Sequence, residues 1–587
     1  MFLATTADQR FWKKEGKILF LGEWCLTFDQ KSIWSKLDHE VLPYERNSPE
    51  KYLRDRDYLD QLYERLLSSY AEQLNVLHNE KHSVRYWRTI VSPWLYYFIQ
   101  TLYDRYLSIR QIIDSGKVTL TWIPPLNETE FVPKDFSTFQ RWQALDGYNL
   151  YLCSLLIKDL GGIPFEVQNP SWKLEQIPNQ TGVGFWSQIK GNMRRLLELY
   201  YRFIPQKLNN IVMVSLYMRK IDLFRFQVSF GQLPYAHTTM ISPPKVAPDF
   251  ELRKNLQIVH EENEFESLLG KYIARQMPTA YLESYADLKK EAMRVFPKNP
   301  KVIIYVNAHF ANEGFKIWSA DRMEKGTKLI GMPHGGHYGN DLWSANEVHE
   351  IKIADQYCTW GWDDENHNNL VPLSSLQLVG AQKRIQCNPH GKILWIGTSI
   401  NRYLDWMCGV KVSFQMLDYI EDQKIFLKDL NPEIKNLLTM RLFHTDYRRG
   451  VKEQLSKAIP DLNFYTDRKT IYKQLCKSRL CIATYNGTTI LETLSANYPT
   501  LGFWNFDHWP LRESAKPYYE DLFRVGVFHK TPESAATKVN EIFANPQKWW
   551  HSSEVQEAKN KFCHRFARAS ENWLEEWKKE LQKLSKK

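Results

Sequence analysis

The sequence predicts an α/β protein of two tandem domains built on predominantly parallel sheets. From residue 301 onward, short β-prone runs alternate with helix-length stretches, the rhythm of strand and crossover. A loop-like break at residues 382–391 is followed by a fresh apolar strand, KILWIG, which restarts that rhythm. The chain of 587 residues, 43% hydrophobic and 25% charged, is long and apolar enough for more than one core, which excludes a disordered or collagen-like chain.

In chain order, residues 2–5 and 17–21 are apolar runs followed by turn residues and read as buried strands. Residues 47–81 are charged with helical spacing through Leu59, Leu62, Tyr63 and Leu66. Residues 118–123 read as a strand stopped by Pro124 and Pro125, residues 210–217 as another, and the polar stretch 242–301 as a helical insertion. Strands are expected at 301–306, 328–332, 356–360 and 376–379, then in the second domain at 440–443, 462–465, 480–484 and 499–503 after KILWIG. Beyond Trp549 the aromatics Phe562, Phe566, Trp573 and Trp577 share one helical face. The expected division is residues 1–385, with helical insertions, residues 386–548, and a helix at 549–587 that packs back onto the first domain.

Composition narrows the partners. The net charge of +10 is spread over a long chain with no Lys/Arg block, which argues against nucleic acid. Eight scattered cysteines without a C-x-x-C pair fit reduced thiols in a cytoplasmic protein. The start, MFLATTADQRFW, does not read as an export signal, and the apolar stretch 89–103 is too short to span a bilayer. Membrane contact is therefore expected to be peripheral, at the inner face, where the aromatic face and terminal lysines of the last helix suit it. The triplet Asp55-Arg56-Asp57 sits in a helical charge pattern and reads as a solvated face rather than a metal-binding D-x-D. No metal site is expected.

Four segments carry candidate chemistry. In GMPHGGHYGND, His334 follows a strand at a sheet's carboxyl edge, where it can act as a general base or bond a phosphate, with Gly335 and Gly336 allowing close backbone approach. The plain alternative is a glycine turn with an incidental histidine. In ATYNGTTILETL, a strand runs through Asn486, Gly487, Thr488 and Thr489 into a helix, a cradle for a nucleotide phosphate, with Glu492 placed for a ribose. Simple capping by Asn486 or Thr488 is the alternative. In MRLFHTDYRRG, Arg441 and His444 can face the same anion, against a reading as a solvated basic loop. In IGTSINRY, Thr398 and Ser399 follow the first strand of the second domain and would line a cleft.

Together, TTADQRFW, PHGGHYG with VHEIKIADQYCTWGW, MRLFHTDYRRG and YNGTTILETLSANYPTLGFW resemble a bacterial surface-carbohydrate transferase family encoded in O-antigen and capsule clusters, over nearly the whole chain. The resemblance implies a GT-B glycosyltransferase, two Rossmann-like domains facing across a cleft with the donor nucleotide held mainly by the second. It extends to capsule Kdo transferases, to nonulosonate transferases such as those for pseudaminic acid, and to CDP-glycerol polymerases, which use CMP- or CDP-linked donors and no further cofactor. It implies His334 as catalytic base and donor contacts from Gly335, Gly336, Thr398, Ser399, Arg441, His444, Asn486, Gly487, Thr488, Thr489 and Glu492. Thr445 replaces the proline that the relatives carry after the histidine. The function so implied is transfer of an acidic sugar from a CMP donor to a surface-polysaccharide acceptor, including a lipid-linked one. A CDP-glycerol or ribitol phosphotransferase and a non-catalytic sugar-binding component of capsule assembly are the alternatives. The 21 tryptophans would then serve interdomain surfaces and a sugar cleft.

Overall fold

The computed structural model describes residues 1–44, 48–127, 129–170, 205, 208–234, 240–257, 261–404, 407, 413–465 and 470–586. Its strands are β1 Phe2–Ala4, β2 Ile18–Phe20, β3 His39–Val41, β4 Leu120–Ile123, β5 Phe165–Val167, β6 Ile211–Val214, β7 Val302–Tyr305, β8 Lys328–Gly331, β9 Gln356–Thr359, β10 Leu370–Pro372, β11 Lys392–Ile396, β12 Leu438–Arg441, β13 Asn463–Phe464, β14 Ser478–Ala483, β15 Thr500–Phe503 and β16 Phe528–His529. They form three sheets, ordered β3-β2-β1-β4-β5, β10-β9-β8-β7-β6 and β13-β12-β11-β14-β15-β16. Every ladder pairing among them is parallel, as expected for an α/β chain whose strands are joined by crossovers. The first 385 residues thus hold two sheets rather than one.

One expected strand is absent. Residues 376–379 form a turn, and the strand lies just before them at Leu370–Pro372. Leu376, Leu378 and Val379 are nonetheless buried, so their apolar character serves the core without a ladder.

The helical part of the first domain is dominated by a hairpin of two long helices, Pro49–His78 and Val84–Ser115, of 30 and 32 residues. Ser48 and Ser83 cap their starts by accepting from the backbone N–H groups of Lys51 and Tyr86, and left-handed Asn79 and Gly116 end them. The apolar stretch 89–103 lies inside the second helix, whose Trp87, Trp94 and Phe98 are fully buried. No described helix is long and apolar enough to cross a membrane.

The C-terminal segment is three helices, Pro546–Trp550, Ser553–Phe566 and Trp573–Lys586, rather than one. Phe562 and Phe566 join a core with Trp504, Tyr519 and Trp360. Trp573, Trp577 and Leu581 pack with Phe226, Met213 and Ile304 of the second sheet's layer. Trp573 and Trp577 are 4% and 1% exposed, so these aromatics are not available as membrane anchors in this structure. Eight tryptophans, among them Trp318, Trp362, Trp395 and Trp550, are among the largest fully buried side chains. The aromatic excess therefore goes chiefly into cores. The described cysteines are all free; Cys408 lies outside the described residues.

Candidate active site

Counted from β11, the third sheet runs 3-2-1-4-5-6, the doubly wound order whose switch point lies between its first and fourth strands. The loops leaving β11 and β14 flank that point; the first carries Thr398–Ser399, and the second carries Asn486 and Gly487 into the helix that Thr488 and Thr489 begin. Tyr419 stitches the two loops together. Its hydroxyl accepts from the Thr398 N–H at 3.0 Å and lies 2.6 Å from the Thr484 hydroxyl. The helix Thr488–Ser495 opens at the switch point with Gly487 as N-cap and no side chain capping it. Capping by Asn486 or Thr488 is thereby overturned, and the first-turn N–H donors have no side-chain acceptor, the arrangement that favours an anion.

His334 reaches the same point from the second sheet. It stands three residues beyond β8, and its loop is pressed against the helix start: a Cβ on Gly336 would lie 2.5 Å from the Gly487 carbonyl carbon and 2.6 Å from the Thr488 nitrogen. A Cβ on Gly335 would lie 3.4 Å from the Thr488 hydroxyl. Gly336 thus admits a backbone approach that no side chain would allow, whereas the space at Gly335 is ordinary contact with a hydroxyl. Asn486 is not a free ligand donor. Its amide donates to Asn340 and Asp341 at 3.1 and 3.2 Å and its carbonyl accepts from Tyr519, so it clamps the His334 loop to the third sheet. Arg512 reinforces this clamp by donating to the Asp341 carbonyl and to Glu347.

The His334 side chain is 28% exposed. Its Nδ1 is 2.9 Å from the Tyr338 hydroxyl, which donates to Glu350 at 2.7 Å, and Tyr357 donates to the other Glu350 oxygen at 2.6 Å. When the Tyr338 proton is directed to Glu350, the Tyr338 oxygen accepts the His334 Nδ1–H and the lone pair lies on Nε2, the tautomer that a base facing the cleft requires. Burial holds the His334 imidazole down at about 4, so it is neutral near pH 7. Burial also pushes Glu350 well above the usual carboxylate range, against the lowering effect of the two tyrosine hydroxyls. The sequence motifs contained Tyr338 and Glu350 but gave them no role; Tyr338 lies in the turn after His334 and Glu350 in the following helix, four and sixteen residues on, which is not a recognisable spacing.

The remaining candidates divide. Thr398 and Ser399 line a recess with Phe443, Asp446 and Val451. His444 is exposed at that rim beside the Phe443 ring, 4.2 Å away between centroids. Arg441 donates to Gln474 at 2.6 Å and lies in the electrostatic reach of Tyr485, whose hydroxyl is bonded to Thr489. Glu492 is 6% exposed and accepts from Tyr472 at 2.6 Å, with burial raising its pKa; it is an internal partner rather than a free acid facing a ribose. The solvated-loop reading of the basic turn also fails. Arg448 pairs with Asp29 and Asp146, each at 2.9 Å, and Arg449 is 6% exposed. Tyr447 and Arg448 hold left-handed backbone there, so the loop without its proline is fixed by ion pairs instead. Asp55-Arg56-Asp57 lies in the helix Pro49–His78, where Arg56 bonds to Asp57. Among the described residues no group of three or more His, Cys, Asp or Glu is placed to hold a metal ion.

No curated protein sequence matches the chain. Among solved structures it is similar to S. aureus MnaA with UDP, at 11% identity and a TM-score of 0.37 over 64% of this chain and 96% of that one. Acinetobacter baumannii MurG gives 13% and 0.32 over 64% and 99%. The Neisseria meningitidis UDP-GlcNAc 2-epimerase bound to UDP-GlcNAc gives 9% and 0.34 over 62% and 89%. These likenesses are weak, and the fold is identified by its own strand order. A family model described as LIC12162 family transferase matches residues 1–581, and the chain belongs to that family.

Proposed function

We infer that this transferase is a glycosyltransferase of GT-B type that moves an acidic sugar, of the pseudaminic acid or Kdo kind, from a CMP donor to a surface-polysaccharide acceptor. The observation that carries the reading is the uncapped start of the helix Thr488–Ser495 at the switch point of the third sheet, directly against the loop of His334. The helix N-terminus and the Thr488 and Thr489 hydroxyls hold the donor phosphate, assisted by Arg441 and His444. His334 Nε2 takes the proton of the acceptor hydroxyl, whose oxygen bonds to the anomeric carbon. The bond from that carbon to the phosphate oxygen breaks, and its electron pair leaves on CMP. The cytidine assignment rests on the motif resemblance.

Thermal unfolding with CMP, CDP, UDP and GDP tests the donor. Stabilisation by a cytidine nucleotide is expected, and none from either CMP or CDP removes the assignment. Incubation with CMP-sugars, reading CMP release and product mass, then separates sugar transfer from transfer of a polyol phosphate, which adds phosphorus to the product.

A further inference from the structure

The helix Lys220–Ser229, which follows β6, carries apolar side chains on two sides. Its inner side packs into the core of the second sheet's layer, where the Phe226 ring lies 5.7 Å from the rings of both Trp573 and Trp577. Its outer side holds Ile221, Phe224 and Val228, which are 57%, 49% and 49% exposed. A surface helix of a globular protein ordinarily turns polar residues outward, so three large apolar side chains there mark an interaction surface. At about 100° per residue, the exposed positions Lys220, Phe224, Val228, Ile221 and Arg225 follow one another across an arc of about 140°. The apolar three occupy the middle of that arc, and a cation stands at each edge.

Charge selects the kind of partner. No acid lies on this arc. The single acid of the helix, Asp222, is buried, accepts from Arg219 at 3.0 Å and stands 3.8 Å from Arg225. Arg219, Lys220 and Arg225 thus face one carboxylate between them. On the neighbouring helix Trp573–Lys586, Glu575 is paired with Lys578 at 3.1 Å and Glu580 with Lys583 at 2.7 Å, while Lys579 is exposed; Glu571, just before it, lies 3.8 Å from Lys383. A bilayer with anionic headgroups meets both features, because the apolar centre of the arc enters the boundary with the acyl chains while the flanking cations stay at the phosphates. A protein groove would have to desolvate Lys220 and Arg225 against acids of its own, whereas a headgroup layer leaves them hydrated.

The helix also stands beside the candidate cleft. β6 is next to β7 and β7 next to β8, all parallel, so the turn before the helix leaves the same carboxyl edge as the His334 loop, about 10 Å along the sheet. In that turn the Tyr217 hydroxyl is bonded to Asn307, which follows β7. We propose that the outer face of the helix Lys220–Ser229 docks this protein on an anionic bilayer, with Ile221, Phe224 and Val228 at the acyl boundary and Lys220 and Arg225 on the headgroup phosphates. On the glycosyltransferase reading above, docking there brings the mouth of the cleft to the layer that holds a lipid-linked acceptor. The surface itself does not rest on that reading.

Co-sedimentation of the full chain with vesicles of phosphatidylglycerol and phosphatidylcholine in equal parts, and with phosphatidylcholine alone, tests it. Four proteins are compared: wild type, the triple variant Ile221→Gln, Phe224→Gln, Val228→Gln, the double variant Lys220→Gln, Arg225→Gln, and Val76→Gln as an exposed apolar control on the helix Pro49–His78. All the changed side chains are exposed, and glutamine keeps helix propensity, so no core is emptied. Wild type and Val76→Gln are expected to bind the mixed vesicles, the triple variant about tenfold or more weakly, and the double variant no better than wild type binds phosphatidylcholine. No binding of wild type to the mixed vesicles, or binding unchanged in the triple variant, overturns the proposal. Equal binding of wild type to both kinds of vesicle removes the anionic lipid as partner. Self-association that the triple variant abolishes, without vesicle binding, makes the face a contact between copies and overturns it too. Stabilisation by CMP, read on the same preparations, is expected to be equal in all four; a wild type that binds the vesicles but no cytidine nucleotide supports the surface and removes the donor assignment instead.

Discussion

At the scale of single residues, His334 is set up by what surrounds it rather than by its own exposure. The Tyr338 hydroxyl, backed by Glu350, holds the ring through Nδ1 and leaves Nε2 for the acceptor, and burial keeps the ring neutral. A histidine acting as base in this state should give a kcat/KM profile whose acid limb falls near pH 4, since protonation below that point removes the Nε2 lone pair. A limb near 6.5, the ordinary imidazole value, would show that burial does not hold the ring down, and a limb that persists in His334→Ala would show that another group titrates. His334→Ala is expected to lower kcat by about 10²–10⁴-fold, the usual worth of a positioned base. Tyr338→Phe should lower kcat less while leaving the KM for donor unchanged, because it removes the tautomer's anchor without touching the phosphate cradle. Steady-state kinetics with a CMP-sugar decide both.

At the scale of elements, the active site depends on one loop meeting one helix end. Gly336 against Gly487 is a contact of backbone on backbone, so no side chain can move aside to admit a methyl group. Gly336→Ala should therefore cost about 1–3 kcal/mol, as other overpacked sites do. It should also lower CMP stabilisation, because the helix start must shift away; a thermal melt with and without CMP reads both effects. This contact also marks where sequence reading succeeds and where it stops. PHGGHYG and YNGTT were legible as strand-to-loop elements because a buried parallel strand followed by Gly and hydroxyl residues has few other uses. That the two would lie against each other, with Asn486 spent as the clamp, was not legible, since the partners Asn340, Asp341 and Tyr519 become neighbours only in three dimensions. Strands failed for a local reason. His39–Val41 and Phe165–Val167 are three-residue edge strands with an acid in the middle, while the strongly apolar residues 376–379 are buried as a turn. Apolar periodicity reports burial, and hydrogen-bond pairing only where the run is long enough to need it.

At the scale of the whole molecule, the carboxyl edge of the third sheet is held by both other sheets, by the second through the clamp at Asn486 and by the first through Asp146. Asp146 begins the helix Asp146–Leu160, downstream of β4, and its side chain is 3% exposed. It accepts from the Ala7 N–H after β1 at 3.2 Å, from Arg402 after β11 at 2.8 Å, from Arg448 after β12 at 2.9 Å and from the Tyr403 hydroxyl. One carboxylate thus joins two sheets. Burial alone would raise its pKa, but Arg402, Tyr403 and Arg448 outweigh it and hold the carboxyl below the ordinary range. A depressed folded-state pKa contributes stability that is present above the unfolded value, about 3.9, and is lost as the pH falls through the folded one. Asp146→Asn keeps the shape but leaves the buried Arg402 guanidinium without its carboxylate, while the partly exposed Arg448 keeps Asp29, so a loss of about 3–5 kcal/mol is expected. That loss should be constant from pH 8 to pH 5 and shrink only below pH 4, where wild type surrenders the same charge. Denaturant unfolding of both proteins across that range measures it; an equal or rising difference below pH 4 would show that the aspartate's geometry, and not its charge, holds the first and third sheets together. Because the loops it ties carry the Thr398–Ser399 recess and the Arg441 strand end, the same substitution should weaken CMP stabilisation at pH 7 while leaving the helical hairpin, which shares no bond with Asp146, at wild-type hydrogen-exchange protection.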